Sequence, residues 1–254
     1  MKILRYIAVA LFALVTVDAV AWTTEVNKAV LMFAEENLSN RAKKEVAKLL
    51  NAPLSSVEFV NKGKSKTRLD ESGKSVTTNE KDAVVKLEKA VATLENRSAT
   101  AQERKAALLT AVEMTVDIHC LANLHIDKHL EKNFVISRHN SMQIGFRYYA
   151  VKKTNWQKVW QKEYHTSHGV FSAEMYLYDW QFATKGLAKQ YKKEAIAPRK
   201  WAEESGERVM QTINKLKSDE LIEMVEVPKL EEVNNAAMYA AAFRLAGLLN
   251  KTLK

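Results

Sequence analysis

The sequence predicts a mainly helical protein with a single hydrophobic core. Glycine and proline, which interrupt helices, number only 7 and 3 in 254 residues, whereas hydrophobic residues make up 47% of the chain. Several segments carry apolar residues at three- and four-residue spacing, which places them on one helix face. The stretch from Met142 to Tyr148 instead alternates with a period of two. We therefore expect an all-α, single-domain multi-helix bundle with a small β-hairpin near residues 140–151.

The first 21 residues have the features of a secretory signal peptide. Two basic residues precede an apolar run from Ile7 to Val17, and Ala19-Val20-Ala21 is a small-residue cleavage pattern. Cleavage there makes Trp22 the new N-terminus and leaves residues 22–254 as one mature helical domain. No later stretch reaches the roughly 18 continuous apolar residues of a spanning helix, so we expect no membrane span.

Charge and cysteine content bear on partners and compartment. The formal net charge is +9, and +8 once residues 1–21 are removed, which favours anionic partners such as nucleic acid or anionic lipid. Cys120 is the only cysteine, which fits a monomeric, exported bacterial protein, periplasmic or secreted, better than a disulfide-rich domain. One lysine-rich run either contacts phosphates or forms a solvated helix face: Lys185, Lys189, Lys192 and Lys193.

Local patterns predict the elements of the first half of the chain. Glu25–Leu50 is expected to form two helices broken near Asn37–Asn40, with Ser39 or Asn40 capping the second. The polar and basic segment Asn61–Thr78 is expected to be an exposed loop. Asp82–Leu94 has apolar residues on one face and is expected to be an amphipathic helix.

The later helices are predicted in the same way. Thr100, with Glu103 three residues on, forms a capping-box pattern before a long central helix that includes Leu108–His129. Pro198 and Pro228 indicate helix starts or breaks. The Ala/Leu-rich segment Ala236–Leu249 is expected to be the last helix.

The central segment carries a line of polar residues on an otherwise apolar helix. Glu113, Asp117 and Cys120 follow one another at helical spacing, and Asn123 lies on a neighbouring line. A buried carboxylate costs several kcal/mol unless a cation or hydrogen-bond donor compensates it. Two interpretations remain open, a metal site and a buried hydrogen-bond network without metal.

Several short segments, taken in order, carry a resemblance to a known family. They are Trp22-Thr-Thr-Glu-Val-Asn27, Glu113-Met-Thr-Val-Asp117-Ile-His119-Cys-Leu-Ala-Asn123, Thr154-Asn155-Trp156-Gln157-Lys158-Val159-Trp160-Gln161, Trp201-Ala202-Glu203-Glu204-Ser205 and Arg244-Leu245-Ala246-Gly247. In this order they resemble the zinc-dependent single-strand-specific nucleases, whose superfamily includes bacterial zinc phospholipase C. The resemblance spans essentially the whole mature chain and implies the helical fold of that superfamily.

The resemblance also implies a site, but one with most of its zinc ligands replaced. The family binds three zinc ions through His and Asp side chains and through the N-terminal Trp. At the matching positions of this chain the ligand pocket consists of Trp22, Asn27, Glu113, Asp117, Asn123, Gln157 and Gln161. Only Trp22 and Asp117 keep the residue types of the family. Because neutral amides are weak zinc ligands, the inherited cluster is eroded and we expect no zinc in it.

Three functions follow as alternatives. The favoured one is a catalytically inactive nuclease homologue that binds single-stranded nucleic acid or another phosphate-bearing ligand. The second is an active endonuclease or phosphodiesterase with a rebuilt zinc site, held by Trp22, Glu113 and Asp117, with Asp117 catalytic and Cys120 or His119 as further ligands. The third is a periplasmic helical protein that binds a lipid, a glycan or another protein.

Overall fold

The fold is mainly α-helical, as the composition predicts. The computed structural model describes residues 22–59, 67–76, 79–126, 133–143, 146–155, 172–213, 221–222 and 227–253. The predicted signal peptide lies outside these ranges. Within them the structure contains eight α-helices: α1 (Thr24–Glu36), α2 (Asn40–Leu50), α3 (Ala83–Glu95), α4 (Ala101–His119), α5 (Ala173–Ala183), α6 (Leu187–Lys192), α7 (Pro198–Ile213) and α8 (Val227–Thr252).

Several predicted helix starts are confirmed by their capping groups. The Ser39 hydroxyl accepts a hydrogen bond from the backbone N–H three residues on, at 3.2 Å, and so caps α2. Thr100 and Glu103 form the capping box of α4, with the Glu103 carboxylate accepting the Thr100 backbone N–H at 2.7 Å. Pro198 begins α7, and Pro228 lies in the first turn of α8, where proline is tolerated.

Two small sheets complete the described structure. Strand β1 (Thr67–Leu69) pairs in parallel with β2 (Leu124–Ile126). Strands β3 (Asn133–Gln143) and β4 (Phe146–Asn155) form an antiparallel hairpin, and the short β5 (Leu221–Ile222) joins β3 in parallel. The predicted hairpin is therefore present, and its strands extend beyond residues 140–151.

The central helix ends earlier than the sequence pattern suggests, so the prediction of one helix over Leu108–His129 is wrong for residues 120–126, and residues 127–129 lie outside the described ranges. Helix α4 stops at His119, and Cys120 is extended, with φ −72° and ψ 110°. A 3₁₀ turn then leads into β2, whose backbone pairs with β1. The pairing satisfies backbone hydrogen bonds and buries Leu124 completely, which offsets the loss of further helix.

The loop predicted over Asn61–Thr78 also contains ordered structure in its described part. Thr67 and Leu69 of β1 are 0% and 1% exposed. The turn that follows has Gly73 at φ +82°, a conformation that favours glycine. This turn lies against Gly206 of α7, so the segment is part of the packed structure rather than a solvated loop.

Helix α4 lies at the centre of the core. Its second half is almost wholly buried, and it packs against α2, α3, α7 and α8. Phe33 of α1 makes edge-to-face contacts with Trp180 of α5 and Phe243 of α8. Within the described ranges, no helix is both long and apolar enough to cross a membrane. The core arrangement places Thr115, Asp117 and His119 of α4 away from water.

Candidate functional site

A carboxyl group is buried in the second half of α4. Asp117 is only 3% exposed. Asn123, in the 3₁₀ turn after α4, donates its Nδ2–H to Oδ1 of Asp117 at 3.0 Å. The second oxygen of Asp117, Oδ2, is buried and makes no hydrogen bond to any residue that the structure describes. Because α4 ends before position 123, the chain can return Asn123 to a carboxyl six residues earlier.

The environment of Asp117 favours its neutral form. Burial, and to a smaller extent the nearby charge of Glu113, raise the pKa of Asp117 to a net value of about 8. The Asn123 hydrogen bond and the charge of Lys86 lower the pKa but do not outweigh burial. The carboxyl is therefore mostly protonated at neutral pH, and the pair with Asn123 is a neutral hydrogen-bonded pair.

A second buried polar group lies at the start of α1. Trp22 is 1% exposed, and its indole Nε1–H donates to Oδ1 of Asn234 in α8 at 3.2 Å. Asn27 is 2% exposed and donates its Nδ2–H to the backbone oxygen of Trp22 at 3.2 Å. The Oδ1 atom of Asn27 has no hydrogen-bond partner within the described ranges. These contacts tie the residue at the predicted cleavage point into the core.

An open pocket of about 480 Å³ lies beside this group and is lined in part by Asn27. The ammonium group of Lys28 at its edge also pairs with Glu174 at 3.2 Å. Hydroxyl groups and a lysine ammonium bind phosphate oxygens well. The polar residues around the pocket are Thr24, Lys28, Ser55, Ser56 and Glu58.

The seven predicted pocket residues comprise two hydrogen-bonded pairs, one half-buried glutamate and two residues outside the described ranges. Two buried pairs are hydrogen-bonded internally: Trp22 with Asn27, and Asp117 with Asn123. Across the described residues, no hydrogen bond joins one pair to the other. Glu113 lies half-buried on α4 and acts on Asp117 through its charge. The remaining two predicted residues lie outside the described ranges: Gln157 and Gln161.

The donor chemistry of these groups does not fit a three-zinc cluster. Zinc sites use imidazole, thiolate or carboxylate, whereas the described pocket residues offer two carboxamides, the Asp117 and Glu113 carboxyl groups, and a Trp22 carbonyl that already accepts a hydrogen bond. Burial also raises the pKa of the Cys120 thiol, which keeps it protonated. In the part of the chain that the structure describes, no group of three or more His, Cys, Asp or Glu side chains is placed to hold a metal.

A separate polar cluster, which the sequence did not reveal as a site, surrounds Arg244 in α8. Arg244 is 5% exposed, and its guanidinium donates to the Glu194 carboxylate at 2.7–3.1 Å and also to the Glu204 carboxylate. The guanidinium lies 5.6 Å from the ring centroid of Tyr191 and 5.4 Å from that of Trp201. Such a planar cation–aromatic contact is typical of arginine.

His119, the last residue of α4, belongs to the same cluster. Its Nδ1–H donates to the backbone oxygen of Thr115 at 2.6 Å, and Nη1–H of Arg244 donates to its Nε2 at 3.1 Å. Because a carbonyl only accepts and a guanidinium only donates, the ring is neutral with its proton on Nδ1. Burial, and then the charge of Arg244, hold the pKa of His119 well below its usual range.

The Arg244 cluster joins four helices, α4, α6, α7 and α8, and the segment before α7. The indole of Trp201 donates to Glu194 at 3.2 Å, and the Lys251 ammonium donates to the Glu194 backbone oxygen. The only sequence signal for it is a single arginine inside the apolar run Ala236–Leu249, since a buried cation needs an acidic partner. The geometry indicates a structural clamp, with its polar groups already paired to one another.

No protein-family model matches the sequence, and no curated protein matches it at a significant level. The resemblance to the zinc-dependent nucleases therefore rests on the sequence motifs alone.

Proposed function

We propose that this exported protein binds a phosphate-bearing ligand, with single-stranded nucleic acid as the first candidate, and does not hydrolyse it. In this proposal a nuclease-like helical scaffold has kept its binding surface, while neutral hydrogen-bonded groups replace the metal ligands. The observation that carries the proposal is the Asp117–Asn123 pair. One oxygen of this carboxyl is occupied by a carboxamide N–H, and the carboxamide itself is a weak zinc ligand.

The absence of hydrolysis follows from the chemistry of the retained positions. In the nuclease family, metal ions lower the pKa of the attacking water. Here the amides of Asn27 and Asn123 direct their N–H groups to oxygens of the protein itself. Neither amide supplies the basic nitrogen that the histidines of the family supply at those positions.

Ligand binding is supported by charge and by the pocket beside Asn27. The net charge of +8 on residues 22–254 attracts polyanions over long distances. Lys28 and the hydroxyls of Thr24 and Ser55 line this pocket, and Oδ1 of Asn27 is a buried acceptor without a donor among the described residues. A ligand that carries both phosphate oxygens and an N–H or O–H donor, as a nucleotide does, complements these groups better than inorganic phosphate.

Fluorescence anisotropy with a labelled single-stranded oligonucleotide tests the proposal. Binding is expected with log Kd rising linearly with log salt concentration, and the oligonucleotide is expected to stay intact. Lys28→Ala should weaken binding and reduce the salt slope by about one. Lys81→Ala, which removes an exposed lysine elsewhere, is the matched control. Absence of binding at low salt, or equal effects of both variants, would contradict the proposed site.

A second candidate is a metal-dependent phosphodiesterase with a rebuilt site. One observation favours it: in the part of the chain that the structure describes, Oδ2 of Asp117 is buried without a hydrogen bond, and Glu113 lies one helical turn away. Metal analysis of the exported protein, purified without chelators or an affinity tag, separates the two. Less than about a tenth of a zinc ion per chain supports the binding proposal. One or more tightly held ions, with cleavage of single strands that Asp117→Asn abolishes, would establish the second candidate.

A further inference from the structure

Three large apolar side chains form an exposed stripe on α5. Met175, Tyr178 and Phe182 are 50%, 64% and 67% exposed, and their spacing of three and four residues puts them on one face. The rings of Tyr178 and Phe182 make an edge-to-face contact at 5.1 Å. The other face of α5 is already packed, since Trp180 is 2% exposed against Phe33. We call these three residues the α5 stripe. The stripe faces solvent, whereas the face of α5 that carries Trp180 is packed.

Positive charge follows the α5 stripe directly along the chain. The backbone N–H of Lys185 donates to the Phe182 carbonyl at 3.4 Å, so this lysine lies at the end of the same helix. Residues 180–193 contain no Asp or Glu. Four lysines in this segment are all exposed: Lys185, Lys189, Lys192 and Lys193. Along the chain, the apolar stripe of α5, which exposed Glu174 and Asp179 accompany, is thus followed by four exposed lysines at the end of α5 and in and directly after α6.

We propose that this surface docks onto an anionic lipid bilayer. Tyr178 and Phe182 enter the interfacial region, where aromatic side chains are favoured, and the lysines pair with headgroup phosphates. Each lysine near an anionic membrane surface increases affinity roughly five-fold. Charge complementarity selects this occupant, because a second copy of the chain would bring like charges together at the lysines. The surface differs from the Asn27 pocket, so the inference goes beyond the proposed function.

Vesicle flotation of the full mature chain tests the apolar part of the proposal. The protein is expected to float with phosphatidylcholine vesicles that contain about 30% phosphatidylglycerol, and not with pure phosphatidylcholine, at about 100 mM salt. The double variant Tyr178→Ser/Phe182→Ser should lose most of this binding. Val76→Ser removes an apolar side chain that is 44% exposed elsewhere and should bind as the unmodified protein does. No flotation with anionic vesicles would overturn the proposal.

A pair of charge variants tests the cationic part. Lys189→Gln/Lys192→Gln should reduce affinity for anionic vesicles roughly 25-fold. Lys44→Gln/Lys48→Gln removes the same charge from exposed positions of α2 and should change affinity less than about two-fold. Equal losses of affinity in the two double variants would show that only net charge matters, and would overturn the assignment of the docking surface to α5 and α6. Sedimentation showing a dimer that Phe182→Ser dissociates would overturn it in favour of a self-interface.

Discussion

Nη1 of Arg244 donates to Nε2 of His119 across 3.1 Å, so a buried arginine is hydrogen-bonded to a neutral histidine. Protonation of His119 would remove this acceptor and place two cations side by side. The histidine also contacts Trp201, with ring centroids 5.9 Å apart. The pair therefore connects α4 to α8 only while the imidazole stays neutral, and it couples the stability of the core to pH.

Replacing Arg244 with alanine is expected to lower the free energy of unfolding by about 3–5 kcal/mol, because it removes the cation that Glu194 and Glu204 share. Arg244→Lys should recover only part of the loss, since an ammonium cannot bond both carboxylates and the imidazole in this planar arrangement. Urea denaturation followed by circular dichroism measures both. Lys200 also contacts Glu204, at 3.9 Å, but is 70% exposed. Lys200→Ala should cost less than about 1 kcal/mol, and equal losses for the two alanine variants would contradict the clamp.

The raised pKa of Asp117 predicts a protein that loses stability as pH rises. In the folded state the carboxyl keeps its proton up to about pH 8, whereas in the unfolded chain it ionises near pH 4. The folded state therefore binds more protons across this window, and the free energy of unfolding falls with pH by at most about 1.4 kcal/mol per unit. Asp117→Asn should remove this contribution. The variant should therefore exceed the unmodified protein in free energy of unfolding most at the upper end of this pH range. Urea denaturation at several pH values compares the two slopes.

The matched control for that experiment is Asp70→Asn. The exposed Asp70 carboxylate accepts from the Ser72 hydroxyl and from the Lys74 backbone N–H, and the Ser72 bond is the main reason that its pKa is lowered. It is ionised in both states above about pH 5, so its replacement should leave the slope unchanged. If Asp117→Asn left the pH dependence as it is in the unmodified protein, the buried carboxyl would not be neutral.

His119 should contribute a pH dependence of the opposite sign. Burial and Arg244 hold its pKa below the usual range in the folded state. As pH falls, the unfolded chain therefore binds a proton at this residue, near pH 6.5, before the folded protein does. Stability from this group is therefore lost as pH falls below that value. His119→Gln keeps an acceptor for Arg244 but cannot protonate, so urea denaturation of this variant should show a smaller loss between about pH 6.5 and pH 5. An unchanged acid loss would contradict the neutral imidazole.

Features that depend on neighbouring residues were predictable from the sequence. The Ser39 cap and the Thr100–Glu103 box involve partners within three residues, and both are present. The period-two pattern located the hairpin, because side-chain alternation in a strand is itself local. The polar line of α4 allowed two interpretations, and at Asp117 the structure shows a hydrogen bond to Asn123.

Features that depend on distant partners were not predictable. Helix α4 ends at His119 because β2 pairs with β1. The paired residues Thr67 and Leu124 are 57 positions apart in the sequence. The Arg244 cluster joins residues that are 40, 50 and 125 positions apart. A lone arginine in an apolar helix shows that a partner is needed, but nothing local identifies that partner.

Gly206 is expected to tolerate no larger side chain. A Cβ atom at this position would lie 2.4 Å from Cδ1 of Leu69 and 3.0 Å from the Gly73 backbone oxygen. Leu69 is 1% exposed and cannot easily move aside, so Gly206→Ala should lower the free energy of unfolding by about 1–3 kcal/mol. Gly247, in α8, has open space around the same position, and Gly247→Ala should raise stability by up to about 1 kcal/mol through its helix propensity. Urea denaturation of the two variants compares the same chemical change in two helices. A stabilising effect at both positions would show that the turn after β1 does not pack against α7.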